Sequence, residues 1–325
     1  MKSFKHFTVN SVDEAVLLLK TYEGRSKIIA GGTDLLGVLK SNILPDYPEA
    51  VVNIKNIKGL DKIESGADGF LRIGPLVRLK DIIRSPLIKE KCPVLATAAE
   101  TVATNEIRNM ATIGGNICQD IRCWYYRYPH AIGGRFICLR KEKKGHCPAV
   151  KGDNRYHAIM GGKGCFAVCP SDIAVALSVM DGVITLSGPE GNREINIQDF
   201  YTPLGTVMKS DEIVTEIRAL LPPQGTRQSF HKFTLRKPID FAVVSVASLI
   251  SMKGSTCQDA KIALGGVSHT PVRAQEAEQT MRGKDLEEAL AAAAAEAALK
   301  GARPLSKNAY KIEIAKTLIK KSLLL

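Results

Sequence analysis

The sequence of 325 residues contains no apolar run close to the roughly 20 residues that a helix needs to span a bilayer. Its first residues, Met1–Phe7, also lack the apolar core of a secretory signal. We therefore expect a cytoplasmic protein with no membrane association, whose thiols are kept reduced.

Aromatic residues are scarce, since Phe, Trp and Tyr make up 6% of the chain. The net charge of +12 favours acidic partners. However, no nucleic-acid recognition motif accompanies this charge, and few aromatic rings are available to stack on bases. We therefore expect no nucleic-acid partner. The hydrophobic content of 45% is enough for a packed core and excludes a disordered chain.

The sequence also lacks internal repeats and a Gly-x-Gly-x-x-Gly segment that opens a βαβ unit, which argues against a Rossmann dinucleotide site. Two of its glycine pairs, at positions 31–32 and 114–115, each follow a short apolar segment. A strand, a glycine turn and a helix can hold a phosphate on backbone N–H groups. Glycine pairs also serve ordinary turns, but two of them together favour a shared ligand loop.

Helix and strand patterns alternate along the chain, which predicts an α+β fold. Ser11 and Glu14 form a capping box for a helix through about Lys20. Strands are predicted at 27–30, 51–54 and 70–74, and a hairpin at 183–195. Further helices are predicted after residue 80, from residue 93, at 286–300 and at 308–323. The segment 222–225, Pro-Pro-Gln-Gly, is typical of a domain boundary.

Six of the eight cysteines lie in the polar, basic stretch from Cys118 to Cys169, separated by four, fourteen, eight, seventeen and three residues. Free cysteines are normally buried singly in apolar segments, as we expect for Cys92 and Cys257. A polar loop cannot stabilise itself by burying apolar area, so we expect these cysteines to stabilise it through covalent bonds or a bound metal.

On chemical grounds the cysteines of this loop could bind a 4Fe–4S cluster, bind zinc or bind no metal. Disulfides conflict with a reducing compartment. Zinc favours pairs of cysteines separated by two to four residues, and only the first and last pairs come near that spacing. A 4Fe–4S cluster needs four thiolates and tolerates wide, irregular spacing. The chemistry favours the cluster, with zinc next and a loop without metal last.

Five segments together resemble the FAD-binding subunit of the molybdenum hydroxylases, the xanthine dehydrogenase family. They are Ala30–Asp34, Ile107–Asn116, Pro170–Asp172, Phe241–Ala247 and Ile262–Val267. The resemblance implies a two-part α+β FAD-binding domain of the vanillyl-alcohol-oxidase/PCMH type over residues 1–221. A smaller α+β flavoprotein domain with a three-stranded sheet and helices would follow over residues 222–325.

The same resemblance implies which residues hold FAD. One group would cradle the pyrophosphate, Val102 and Ala103 would line the cofactor, Asp172 would bind its polar part, and Lys232 would lie near the isoalloxazine. Arg108 would be either a further anion partner or part of a surface salt bridge. The implied cofactor-binding residues are Lys27, Ile28, Ile29, Ala30, Gly31, Gly32, Thr33, Asp34, Leu35, Val102, Ala103, Ala111, Thr112, Gly115, Asn116, Asp172 and Lys232.

The cysteine-rich insertion, residues 118–169, resembles a loop in the flavin subunits of 4-hydroxybenzoyl-CoA reductase and of bacterial aldehyde oxidoreductases, which carry an additional 4Fe–4S cluster. The resemblance implies that four cysteines are the metal ligands and that Cys118 and Cys169 are not. The implied ligands are Cys123, Cys138, Cys147 and Cys165.

The family implies an electron-transfer subunit with FAD and a 4Fe–4S cluster and without catalytic residues of its own. Its partners would be a small 2Fe–2S subunit and a large molybdenum-cofactor subunit that binds the substrate, such as 4-hydroxybenzoyl-CoA, an aldehyde or another aromatic compound. The alternative is a stand-alone flavin oxidoreductase with a structural zinc loop.

The insertion contains ten Lys or Arg and three Asp or Glu. This excess is typical of a solvated surface or of a docking patch for an acidic redox protein such as a ferredoxin. Under the second interpretation Lys141, Lys143 and Lys144 would form the patch, close to the proposed cluster.

Overall fold

The computed structural model describes residues 1–44, 46–129, 136–142, 145–237 and 239–324. Within these ranges, no helix has both the length and the apolar character needed to cross a membrane. The fold is α+β, with a small parallel sheet, a larger antiparallel sheet and a C-terminal antiparallel sheet. The first two sheets enclose the cleft described below.

The N-terminal unit is a three-stranded parallel sheet in the order β1-β3-β2. Its elements are β1 Lys5–Thr8, α1 Val12–Thr21, β2 Ser26–Ile29, α2 Leu35–Lys40 and β3 Ala50–Asn53. The predicted capping box is confirmed, because Glu14 N donates to Ser11 Oγ at 3.1 Å and the Glu14 carboxylate accepts from Asn10 N at 2.8 Å.

Seven short elements then lead to the cysteine-rich insertion. They are β4 Ile63–Ser65, β5 Phe70–Ile73, α3 Leu79–Arg84, α4 Pro86–Lys91, α5 Pro93–Glu100, α6 Asn105–Met110 and α7 Ile113–Ile117. The glycine pair 114–115, which we expected in a turn or a ligand loop, lies inside helix α7. The reason is local: Thr112 caps this helix by accepting a hydrogen bond from Gly115 N at 3.1 Å.

The described part of the insertion contains α8 Trp124–Arg127, α9 Leu139–Glu142 and a 3₁₀ turn at Pro148–Val150. The chain then completes the antiparallel sheet, whose order is β4-β5-β10-β6-β7. These elements are α10 Asp172–Val179, β6 Val183–Gly188, β7 Gly191–Asn196, α11 Ile197–Phe200, β8 Tyr201–Thr202, β9 Gly205–Thr206 and β10 Ile213–Leu220. The predicted hairpin is confirmed, with Gly188 opposite Gly191.

The C-terminal sheet has the order β11-β12-β13-β14, and β15 also pairs with β13. Its elements are β11 Arg227–Phe233, β12 Val244–Lys253, β13 Thr256–Gly265, β14 Val272–Arg273, α12 Gln275–Met281, β15 Lys284–Asp285, α13 Glu288–Ala298 and α14 Tyr310–Leu324. The expected sheet of three strands thus gains two strands of only two residues, which are too short to show an alternating pattern.

The C-terminal sheet packs against the antiparallel unit through a shared apolar core. Phe230, Ala247 and Ala263 of this sheet belong to the same buried cluster as Leu95 of α5 and Ile173 of α10. The connection over residues 222–225 therefore separates two sheets that are joined in the core.

Candidate functional site

A cleft of 490 Å³ opens between the N-terminal parallel sheet and the antiparallel unit. One wall consists of residues 27–35, and Thr112, Gly114 and Gly115 approach it from α7. The opposite wall is formed by residues 204–206, 208–210 and 212–214. The structure thus brings the two glycine pairs into one cleft, although 81 residues of chain separate them.

Gly31 marks the closest approach between the two glycine segments. A Cβ atom at this position would lie 2.1 Å from Met110 O and 3.1 Å from Ala111 Cα, so no other residue fits without moving backbone. Gly32 has a φ of +71°, in the left-handed region that favours glycine. These two positions fix how the turn faces the cleft.

The turn presents unpaired backbone donors to the cleft. In the ranges that the structure describes, the N–H groups of Gly32, Thr33 and Asp34 have no hydrogen-bond acceptor. These N–H groups are available to a ligand or to water, and successive N–H groups in a turn can form a concave anion site. The pyrophosphate of a dinucleotide is an acceptor of this kind.

Asp34 ties the glycine turn to the cysteine-rich insertion. Its carboxylate accepts hydrogen bonds from Arg122, from Arg127 Nη2 at 2.8 Å and from Asp120 N at 2.8 Å. Burial alone would raise the pKa of Asp34, but the charges of Arg122 and Arg127 outweigh it and hold the pKa below its ordinary value. Sequence reasoning named Asp34 and missed both arginines, because no local signal pairs residues so far apart.

We expect an Asp34→Asn protein to lose FAD about tenfold faster than the wild type, because two partly buried arginines lose their counter-charge. Since the pKa of Asp34 is held below the ordinary value of an aspartate, the ion pairs persist at neutral pH and are lost only in acid, as the pH falls through the lowered pKa. The rate of FAD release, followed by flavin fluorescence, measures the effect. Asp13→Asn, a change in the exposed first turn of α1, is the control and should release FAD at the wild-type rate.

A second group of the predicted residues lies outside the lining of the cleft. Asp172 Oδ2 and Lys232 Nζ form an ion pair of 2.8 Å with side chains that are 6% and 5% exposed. Lys232 also donates to Thr101 O at 2.9 Å, next to the predicted Val102 and Ala103. Asp172 is thus held by Lys232, and the two residues act as one buried pair.

Asn116 connects this pair to the cleft. Its Oδ1 accepts from Ser171 Oγ at 2.6 Å, and Ser171 caps α10 immediately before Asp172. Asn116 of α7 is thus linked to the residue before Asp172, while the predicted Ala111 lies against Gly31 of the turn.

Within the described residues Arg108 holds a loop in place instead of forming the surface salt bridge that was one of its two expected roles. Its guanidinium is largely buried and donates to Val102 O at 2.8 Å, Ala103 O at 2.6 Å and Asn105 Oδ1 at 2.5 Å. It braces the loop in which Ala103 has a φ of +47°. Arg108 consequently stabilises the conformation of residues that the resemblance places at the cofactor.

The four cysteines named as ligands are neighbours in the structure, and none of the eight cysteines forms a disulfide. Cys123, Cys138 and Cys165 share an apolar cluster with Val38 of α2, the helix that follows the glycine turn. Burial is the main cause that raises the pKa of Cys123 to about 12, and Cys138 and Cys165 contribute to that rise. Burial also raises the pKa of Cys165, to which Cys147 and Cys138 contribute.

The remaining two cysteines of the insertion lie elsewhere. Cys118 lines the cleft, and Cys169 belongs to the main core. Both are close enough to Tyr201 that, after burial, they contribute to raising its pKa. The structure therefore separates these two thiols from the group of four.

The four thiols do not form a site for a single metal ion in the described part of the chain. Among the described residues, no three His, Cys, Asp or Glu side chains are close enough together to hold a single metal ion. A 4Fe–4S cluster holds its four thiolates farther apart than one zinc ion does, because four irons lie between them. Four neighbouring, unpaired thiols in a partly apolar setting fit that donor set.

The position of Lys141 contradicts the surface patch that Lys141, Lys143 and Lys144 were expected to form. Its side chain is buried, donates to Tyr128 O at 3.3 Å and lies 5.8 Å from the ring centroid of Tyr126. The long aliphatic stem of a lysine can pack inward on an aromatic ring, which a charge pattern does not show. Lys143 and Lys144 lie outside the described residues.

Comparison with protein families divides the chain into two matched parts. A model described as the FAD binding domain in molybdopterin dehydrogenase matches residues 2–222. A model described as the CO dehydrogenase flavoprotein C-terminal domain matches residues 228–325. The two models leave only a short connection unmatched between them.

Individual proteins match over nearly the full chain. The aldehyde oxidoreductase FAD-binding subunit PaoB of Escherichia coli (strain K12) is 35% identical over 325 residues, which cover 97% of this chain and 96% of that protein. Carbon monoxide dehydrogenase from Hydrogenophaga pseudoflava has a chain with a TM-score of 0.78 and 26% identity, with 98% and 96% covered. Quinoline 2-oxidoreductase from Pseudomonas putida 86 has the same fold, with a TM-score of 0.78, 24% identity and 100% and 97% covered.

Proposed function

The chain belongs to the flavoprotein family of the molybdopterin dehydrogenases, the family predicted from its sequence, and we propose that it is the electron-transfer subunit of a heteromeric complex of this kind. It is an oxidoreductase subunit, and its FAD-binding domain makes FAD its cofactor. The observation that carries the proposal is the connection of two candidate cofactor sites, the glycine-lined cleft and the four thiols, through Asp34 and α2.

We assign the residues around FAD as follows. The N–H groups of Gly32, Thr33 and Asp34 hold the pyrophosphate, with α7 beside the turn and residues 204–206 and 208–210 on the opposite wall. Val102 and Ala103 line the cofactor, while the Asp172–Lys232 pair orients its polar part and the isoalloxazine edge. FAD supplies the exchange of one or two electrons, which suits it to joining one-electron centres to another carrier.

We assign Cys123, Cys138, Cys147 and Cys165 as the ligands of a 4Fe–4S cluster. Their support is their grouping, their lack of disulfides and their separation from Cys118 and Cys169. The competing assignment is a structural zinc ion in a stand-alone flavin enzyme. The cluster is favoured on the sequence, because the spacing of the four cysteines is wider than that of the pairs that zinc prefers.

The remaining assignments concern the complex. Residues 1–221 would form the FAD-binding domain with the insertion at 118–169, and residues 222–325 the C-terminal domain. A small subunit with 2Fe–2S clusters and a large molybdenum-cofactor subunit would be its partners, in the reducing cytoplasm that the sequence predicts. The 35% identity to an aldehyde oxidoreductase subunit favours an aldehyde over 4-hydroxybenzoyl-CoA as the substrate of the large subunit.

Purification of the chain, alone and from its source, tests this function. The chain expressed alone should bind FAD, about four iron and about four sulfide, and should not convert an aldehyde or an aromatic substrate. From its source it should co-purify with an iron–sulfur chain and a molybdenum-binding chain. Substrate turnover by the isolated chain, or zinc in place of iron, would support the stand-alone enzyme instead.

An acidic ferredoxin is the external carrier that we propose. Because Lys141 is buried, the exposed Lys151 and Lys163 are the better probes of the basic surface, and Lys163 is paired with Cys165 in a β-bridge. Replacing both with Glu should slow electron exchange with ferredoxin several-fold at low salt and flatten its salt dependence. Stopped-flow reduction of the complex measures both. The control is the double variant Lys253→Glu with Lys284→Glu, at exposed sites outside the insertion. Equal rates of electron exchange for the two double variants would show that the basic residues of the insertion form only a solvated surface.

A further inference from the structure

His157 lies within the insertion, and its imidazole faces one of the four grouped thiols. Its Nε2 lies 3.3 Å from Cys123 Sγ, within the distance of a hydrogen bond to sulfur. The ring is buried and packs edge-on against Trp124, with 5.4 Å between the ring centroids. Aromatic packing, rather than solvent, thus fixes the direction in which the imidazole points.

The backbone of His157 is held from the C-terminal part of the chain. Its carbonyl accepts from Asn308 Nδ2 at 3.0 Å and from Lys311 Nζ at 3.1 Å. Both of these side chains are fully buried, and Lys311 lies in the first turn of α14. The C-terminal helix therefore determines where the imidazole stands relative to Cys123.

Only one nitrogen of the ring has a partner. Within the described residues, Nδ1 is buried without a hydrogen-bond partner, so the single polar contact of the ring is the one from Nε2 to sulfur. A thiolate that binds a metal can only accept a hydrogen bond. The contact therefore requires the tautomer with its proton on Nε2, in which the buried Nδ1 without a partner is the nitrogen that carries no proton.

We propose that His157 raises the reduction potential of the iron–sulfur cluster by donating an N–H···S hydrogen bond to the Cys123 thiolate. This inference rests on the proposed function, because it requires a cluster at these thiols. A donor withdraws negative charge from the ligand sulfur and stabilises the reduced, more negative state, and such hydrogen bonds are among the factors that set cluster potentials. His157 acts through Cys123 and is therefore a positioning residue.

Redox titration of anaerobically purified complexes, followed by electron paramagnetic resonance, tests the proposal. His157→Phe should shift the cluster potential downward while the FAD potential and the iron content stay unchanged. His157→Gln, which retains an N–H donor, should restore part of the shift. His269→Phe is the matched control, because the ring nitrogen of His269 lies 3.3 Å from Ser268 Oγ rather than near a cysteine.

The outcomes separate this inference from the function on which it rests. A His157→Phe complex with full iron and the wild-type cluster potential would overturn the role of His157 and leave the cluster assignment intact. A wild-type complex without iron would overturn the cluster assignment itself.

A second measurement needs no substitution, and it decides the question if both variants lose iron. The wild-type complex is prepared with histidine labelled with nitrogen-15, and the reduced cluster is studied by pulsed electron paramagnetic resonance. A hydrogen bond from His157 should appear as a hyperfine coupling to an imidazole nitrogen. Absence of that coupling would overturn the proposal.

Discussion

A Gly31→Ala protein is expected to be isolated with roughly one tenth of the wild-type FAD content or less. The added Cβ would lie 2.1 Å from Met110 O and 2.9 Å from Met110 C, which are backbone atoms that cannot rotate away. The turn and the segment before α7 must then separate. Overpacking of this kind costs about 1–3 kcal/mol, and each 1.4 kcal/mol lost from binding corresponds to about tenfold in affinity. Flavin absorbance per chain, after release in acid, measures the content.

Gly37→Ala is the matched control, since it adds the same methyl group to the neighbouring helix α2. A Cβ at Gly37 would meet no atom within 4 Å. Alanine also favours a helix over glycine by about 1 kcal/mol. This variant should therefore keep its FAD and be at least as stable as the wild type. Full FAD in Gly31→Ala would show that the two segments are not held together as the structure indicates.

Local elements were predictable because a few neighbouring residues decide them. The cap of α1 depends on Ser11 and Glu14 alone, and the hairpin of β6 and β7 depends on alternation around one turn. The limits of α13 were less predictable, since it was expected at 286–300 and begins at Glu288. Lys284–Asp285 pair with β13, and Leu286 N donates to Ser255 O at 2.9 Å. These tertiary contacts keep residues 284–286 out of the helix, which begins only after them.

The glycine turns could be located from the sequence, but their contacts could not. Sequence reasoning placed Gly32 and Gly115 against the cofactor, whereas the tightest contacts between protein segments are at Gly31, against Met110, and at Gly114, against Pro75. Such contacts depend on how distant segments pack, which no short motif records. For the same reason the second wall of the cleft, at 204–214, was not predicted.

Charge patterns were the least reliable guide in the insertion. A run of basic residues predicts a surface, yet Lys141 packs inward on Tyr126, and Arg122 and Arg127 turn toward Asp34. Their charges balance a carboxylate from another part of the chain, which the local composition could not show. Arg122 and Arg127 of this loop thus connect the glycine turn to the insertion that carries the four thiols, instead of facing solvent.

Cys147→Ser is expected to lose essentially all cluster iron, from about four per chain to none, because it removes one of four thiolates. A serine oxygen does not replace a thiolate in a cluster that is held by sulfur ligands. Among the four cysteines, Cys147 gives the clearest test of the ligand set, because its substitution should affect the cluster and leave the cleft unchanged. Cys123 directly follows Arg122, a partner of Asp34, so its substitution also disturbs the cleft, whereas the described contacts of Cys147 do not include Asp34. Cys147→Ser should therefore keep its FAD while it loses iron.

Two cysteines outside the insertion provide the controls for the same assay of iron, sulfide and FAD. Cys92 is fully buried in the main core, and Cys257 lies in β13 with its thiol 3.6 Å from Asp259 O. Cys92→Ser and Cys257→Ser should both retain about four iron per chain, with some loss of stability at Cys92 because a hydroxyl replaces a buried thiol. Loss of iron in Cys147→Ser alone identifies Cys147 as a ligand, whereas loss in all three variants would reflect general unfolding. Full iron in Cys147→Ser would refute the ligand set.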